Sequence, residues 1–169
     1  MKVGLLAVRD VVTAEADETL RVLATRMIDE GVGSLVVVER DGERARPLGI
    51  VTDRDLVRRL TLEEIGHARA LVARDLMTQQ LVVAREDEDS FDALERMRAR
   101  GVRRLPVVDH DGSLVALLTF DDLVAWMAEE LGQLGKLLRK QDPRARALGA
   151  PAGLGAQARS SRTARSTST

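Results

Sequence analysis

Two short runs repeat one pattern: Gly49-Ile50-Val51-Thr52-Asp53-Arg54-Asp55 and Ala116-Leu117-Leu118-Thr119-Phe120-Asp121-Asp122. Each is an apolar strand that ends in Thr-x-x-Asp where a helix begins. Two chemistries fit that spacing. In the first, Thr caps the helix and Asp, three residues on, reaches back to a backbone N–H. In the second, the free N–H groups and positive dipole end of the helix attract phosphate, and the Thr hydroxyl adds a donor. The carboxylate then accepts from a pair of ribose hydroxyls, as acidic residues do in dinucleotide folds. Apolar strand residues such as Ile50 and Val51 would flank a base. Arg103-Arg104 offers charge to a phosphate, or is a solvated corner between helix and strand. The sequence alone leaves both pairs of readings open.

Other chemistry finds little support. The 169 residues contain no Cys, which removes disulfides, thiolate metal sites and Cys nucleophiles. His67 and His110 are the only histidines, and neither has partners at metal-ligand spacing. No Walker or Gly-x-Ser-x-Gly pattern is present. The expectation is a binding protein that is not an enzyme and has no metal site. Aromatics are 2% of residues, too few for a base-stacking platform. A formal net charge of −1 gives no pull toward nucleic acid or membrane. Arg144, Arg146, Arg159, Arg162 and Arg165 form a basic tail, read as a solubilising end in preference to a nucleic-acid arm. The N-terminal apolar run is short for a secretory signal and no run reaches membrane-span length, so a cytoplasmic protein is expected.

The elements that must position Thr52 and Thr119 come from an internal duplication. At a shift of 70, Val12, Ala14, Asp17 and Glu18 meet Val82, Ala84, Asp87 and Glu88, and the match runs ungapped to Gly42 and Gly112. It resumes at a shift of 67, where Thr52, Asp55 and Leu56 meet Thr119, Asp122 and Leu123. The three extra residues of the first copy fall in the polar stretch Glu43 to Pro47. Each copy reads strand, helix, strand, strand, helix. The first strands are expected near Val11-Val12 and Leu81-Val82. Leu20, Leu23, Ala24, Met27 and Ile28 form one predicted helix face. Leu35 to Val38 and Leu105 to Val108 are buried strands, and Asp41-Gly42 and Asp111-Gly112 are hairpin turns. Thr61 to Glu64 looks like a capping box that opens a linker helix. Val124, Met127, Leu131, Leu134 and Leu138 form one apolar stripe on the last helix. From Asp142 onward the composition suits disorder.

A copy that ends in Gly-h-h-Thr-x-x-Asp, with h apolar, resembles the cystathionine-β-synthase-type (CBS) domain. Gly49-Ile-Val-Thr-Asp-Arg-Asp-Leu56 and Gly101-Val-Arg-Arg-Leu-Pro-Val-Val-Asp109 carry the likeness, which covers roughly residues 7 to 127. It implies an α/β fold of two β-α-β-β-α repeats about a pseudo-twofold axis. The expected boundaries are 1–60 for the first repeat, 61–78 for the linker helix and 79–128 for the second repeat. A helical extension over 129–141 and a disordered tail over 142–169 follow. The resemblance implies a stand-alone regulatory module that requires no cofactor. It would bind an adenosyl ligand in its clefts: AMP, ADP, ATP, NAD or S-adenosylmethionine, with AMP and ATP foremost. It would form a homodimer and signal to a separate effector protein. Asp55 and Asp122 become ribose candidates, and Thr52 and Thr119 phosphate-side candidates. One departure is Ala116 where Gly49 keeps the family pattern, so a methyl group is expected to narrow the second cleft. The alternative reading is a dimerisation module with no nucleotide.

Overall fold

The computed structural model describes residues 1–62, 70–78 and 80–141. The chain divides into two units, Met1–Ala128 and Glu129–Thr169. The first unit is α/β and carries both copies. In copy one, β1 (Thr13–Glu15) is followed by α1 (Leu20–Asp29), β2 (Ser34–Asp41), β3 (Arg44–Thr52) and α2 (Asp53–Leu62). A single helical turn, α3 (Ala73–Leu76), precedes copy two. There β4 (Ala84–Arg85), α4 (Ser90–Arg100), β5 (Arg104–Val108), β6 (Leu114–Thr119) and α5 (Phe120–Gln141) repeat the order. Each copy has a three-stranded sheet in the order β1-β2-β3 or β4-β5-β6. The first pair is parallel and the second antiparallel in both.

Local chemistry explains these elements. The β2 core positions Leu35, Val36, Val37 and Val38 are β-branched or aliphatic and fully buried, as a strand covered on both faces requires. Gly42 and Gly112 have φ of 60° and 82°, the left-handed conformation that a tight hairpin turn demands. Helix α4 starts on Asp89, whose carboxylate accepts from the Phe91 N–H at 2.9 Å, and ends on Gly101 at φ 66°. An ion pair recurs in both copies: Arg26 meets Glu18 at 2.8 Å and Arg96 meets Glu88 at 3.0 Å. The same arginines donate to the carbonyls of Thr13 and Val83, which ties each helix to the start of its sheet.

Two cores result. Leu20, Leu23, Met27, Leu35, Val37, Val51 and Leu56 build the first. Ala93, Met97, Leu105, Val107, Leu118 and Leu123 build the second. A third apolar cluster joins Val36, Val38 and Ile50 to Leu81, Leu114 and Leu117, and so seams the two copies together. Each core is completed by the segment that leads into the other copy. The turn Val3–Leu5 packs into the second core, where Val3 is fully buried. Helix α3 packs into the first, with Ala73 and Leu76 buried. The hydrogen bonds match pair by pair. The Val3 N–H donates to Glu88 at 3.0 Å and the Ala73 N–H to Glu18 at 2.9 Å; Gly4 donates to Glu86 and Arg74 to Ala16.

Three expectations need correction. The first strands lie slightly further on, at Thr13–Glu15 and Ala84–Arg85; Val11 and Leu81 pack against the seam between copies, and Val12 and Val82 against the first and second cores. Ile28 is 78% exposed. The buried stripe of the ten-residue α1 is narrow, limited to Leu20, Leu23 and Met27, and Ile28 lies on its flank in the last turn. Thr61 opens no helix: it lies in the last turn of α2, where its hydroxyl donates to the Val57 carbonyl at 2.8 Å. Glu64, His67 and the arginines of the tail lie outside the described residues, as do 63–69 of the linker and all of 142–169.

Candidate functional site

Thr52 is the last residue of β3, and α2 starts immediately after it. The Thr52 N–H and hydroxyl both donate to Oδ2 of Asp55, at 2.9 and 2.6 Å. The Asp55 N–H donates back to the Thr52 hydroxyl oxygen at 3.3 Å. Thr119 and Asp122 repeat the arrangement at 2.9, 2.7 and 3.1 Å. The capping geometry is therefore present at both motifs. It occupies one carboxylate oxygen only. In each pair no described residue donates to the other oxygen, Oδ1, so an acceptor remains for a hydroxyl-bearing ligand. Capping and ligand holding are compatible in one residue.

Beside Thr52 lies a cavity of about 140 Å³. Ile50, Leu81, Val82 and Val102 supply its apolar wall; Thr52, Thr78 and Gln80 supply neutral polar groups; Arg103 and Arg104 supply charge. Both copies contribute, because the seam brings the end of β3 next to the start of β5. The two arginines differ. Arg103 is exposed, bonded to Asp121 at 3.0 Å and lying over the Phe120 ring at 5.7 Å. Arg104 is half-buried and forms no ion pair or hydrogen bond with any described residue; its guanidinium reaches toward Gly33.

Of the residues singled out in the sequence, Ile50, Thr52, Arg103 and Arg104 line this cavity, and Asp55 is bonded to its Thr52 wall. Val51 is fully buried in the first core and faces away from it. Gly49 is covered by Met77: a Cβ there would stand 2.8 Å from the Met77 Cβ, Cγ and Sδ atoms. Glycine at 49 thus makes room for a side chain that follows α3. In copy two, Ala116 is buried in a core against which Ala7 packs, seventy residues before Met77 in the duplication. Thr119 and Asp122 belong to the second motif and do not reach the cavity. Sequence reasoning missed Thr78, Gln80, Leu81, Val82 and Val102. No local pattern marks them: the exchange of leading segments, visible only in the fold, takes the residues after α3 across to β3. Among the described residues no group of acidic or histidine side chains could hold a metal ion. No helix among them is long and apolar enough to cross a membrane.

A model of the CBS domain matches residues 3–62 and 73–129. The chain belongs to the CBS domain family. An uncharacterized protein of Methanopyrus kandleri is 36% identical over 138 residues, 78% of this chain and 68% of that protein. An inosine-5'-monophosphate dehydrogenase of Methanocaldococcus jannaschii is 30% identical over 123 residues, 73% of this chain but only 23% of that enzyme. The likeness to the enzyme is thus confined to a minor part of its length. Among solved structures, the CBS domain pair of protein MJ0100 in complex with 5'-methylthioadenosine and S-adenosyl-L-methionine aligns with a TM-score of 0.67 at 21% identity, covering 77% of this chain and 98% of that one. CBSX2 in complex with AMP aligns with a TM-score of 0.62 at 26% identity, covering 76% and 96%. The fold of the CBS pair is therefore that of this chain, with two tandem CBS repeats.

Proposed function

We propose that this CBS pair is a regulatory module that binds an adenosyl nucleotide and passes its occupancy to a separate effector protein. The observation that carries the reading is the free guanidinium of Arg104 at the same cavity as Thr52, whose partner Asp55 keeps a carboxylate oxygen free. A phosphate would meet Arg104 and the hydroxyl-rich start of α2. Ribose hydroxyls would meet Asp55, and the base would lie between Ile50, Leu81 and Val102. AMP and ATP are the ligands foremost in this reading, ahead of NAD and S-adenosylmethionine; the complex of CBSX2 with AMP supports it. The role is sensing: the Thr52 hydroxyl and the Asp55 carboxylate are engaged with each other in the helix-start cap, which suits holding a ligand.

The test is a melting measurement on the full chain with and without AMP, ATP, NAD and S-adenosylmethionine. At a hundred times the dissociation constant, a ligand selective for the native state adds about 2.7 kcal/mol per site. A rise in melting temperature with at least one of the four supports the reading. No shift with any of them at millimolar concentration favours the second reading, a dimerisation module with no nucleotide. The exposed apolar side chains Val124, Met127, Leu131 and Leu134 on α5 give that second reading its own footing, and they suit a homodimer under either.

A further inference from the structure

We propose that the two clefts of this CBS pair differ in kind, so that each chain takes one anionic adenosyl ligand, in the cleft of Thr52, and none in the cleft of Thr119. The inference rests on the ligand-binding reading above and adds where the ligand sits, how many bind and what charge they carry. It follows from comparing each lining residue of the Thr52 cavity with its counterpart seventy residues away.

Charge separates the clefts first. Arg103 and Arg104 correspond to Gly33 and Ser34. Gly33 has no side chain, and Ser34 is neutral and buried. The second cleft therefore has no cation where the first has two, one of them unpaired. Gln80, a neutral residue on the cavity wall, corresponds to Asp10, an exposed carboxylate. The wall position that is a neutral amide beside Thr52 is thus a carboxylate in the second cleft, which disfavours an anion there.

The backbone separates them again. In copy one the Val36 N–H donates to the Val12 carbonyl at 3.2 Å. The counterpart of Val36 is Pro106, which has no N–H. The carbonyl of Val82, the counterpart of Val12, consequently has no donor among the described residues, and Val82 lines the cavity. A backbone acceptor left without a partner at a cavity wall is open to a ligand N–H. The second cleft has lost this group to β2. It is also tied more tightly at its edge. Val8 and Leu117 exchange two hydrogen bonds, at 2.9 and 2.8 Å, whereas in the first cleft Thr78 donates to the Ile50 carbonyl at 3.0 Å with no return bond from the Ile50 N–H.

Titration calorimetry of the full chain with AMP and with adenosine tests the proposal. The expected stoichiometry is one AMP per chain. Arg104→Ser gives the second copy the residue that the first carries at Ser34. Because the Arg104 side chain forms no hydrogen bond or ion pair with any described residue, this variant should melt with the parent. It should bind AMP about ten- to a hundredfold more weakly, the value of a charge-assisted hydrogen bond. Adenosine affinity should stay at the parent level, so that the preference for AMP over adenosine collapses. Two AMP per chain, or an Arg104→Ser variant that keeps the full AMP preference, overturns the proposal and leaves the sensing function standing. A parent chain that takes up no AMP overturns the proposal, and the sensing function falls with it only if ATP, NAD and S-adenosylmethionine also leave the melting temperature unmoved.

Discussion

At the scale of single residues, the Thr-x-x-Asp pair caps its helix with one carboxylate oxygen and is proposed to hold a ligand with the other. Oδ2 of Asp55 closes the helix start, and Oδ1 has no donor among the described residues. Asp55→Asn separates the jobs. The amide keeps one acceptor oxygen for the Thr52 N–H, so the helix start should lose about 1 kcal/mol or less. It then presents an NH₂ group where the free oxygen stood, and a ribose diol loses a charged acceptor. AMP affinity should fall about ten- to a hundredfold. Calorimetry beside a melting curve reads both effects; an earlier melt with unchanged affinity would make Asp55 a cap alone. This pair was legible in the sequence because both partners lie within one turn of each other. Arg104 was legible by its type and by the departure from Ser34, but its lack of an internal partner was not. The surroundings of Gly49 were not legible, for a definite reason. Its neighbour Met77 lies outside both motifs, and nothing local announces a side chain that arrives from so far along the chain.

The elements show why such contacts escape a linear reading. Helices, hairpins and buried strands announce themselves through periodicity and turn residues, and these are found close to where the pattern puts them. The leading segments do not. Val3–Leu5 and α3 are too short for a helical period, and they share few residues despite equivalent places in the fold. What they do share is backbone hydrogen bonding, which is indifferent to side chains. The docking of the segment after α3 onto β3 can be tested at Gly49. Gly49→Ala places a methyl group within 2.8 Å of Met77, including its Cβ near the backbone, which limits how far the side chain can swing away. Overpacking of this kind costs about 1–3 kcal/mol. Met77→Ala in the same chain, which sets the two positions to the residues that the second copy carries at Ala116 and Ala7, should restore much of the loss. Denaturant melts of the two single variants and the double variant give the coupling energy. Strict additivity would show that Met77 is not what glycine accommodates.

For the whole molecule, the question is what covers the apolar side chains that the chain leaves in water. Leu131, Leu134, Leu137 and Leu138 are all more than half exposed on the second unit's part of α5. Val57, Leu60 and Phe91 are exposed on the first. Pairing of two chains is the expected cover, and light scattering should give about twice the 18.5 kDa chain mass. Leu134→Glu replaces an exposed leucine, so the melting of the fold should move by no more than about 0.5 kcal/mol while the dimer is lost. A parent that is monomeric at tens of micromolar, or a variant that still pairs, would place the interface elsewhere.

The crossed leading segments carry a further meaning for how such a molecule holds together. Neither repeat owns a finished core: residues 1–62 lack Ala73, Leu76 and Met77, and the second repeat lacks Val3, Leu6 and Ala7 until the chain's beginning is brought to it. The duplication is a clasp, in which each half lends the other its first turn. A protein with a single repeat could close the same clasp only by exchanging that turn with a twin molecule, through the very backbone bonds that here join Val3 to Glu88 and Ala73 to Glu18. Joining the two halves in one chain turns that encounter into an intramolecular one at a high effective concentration. It also frees the two halves to diverge, one to keep the arginines and the other to become the frame that holds them.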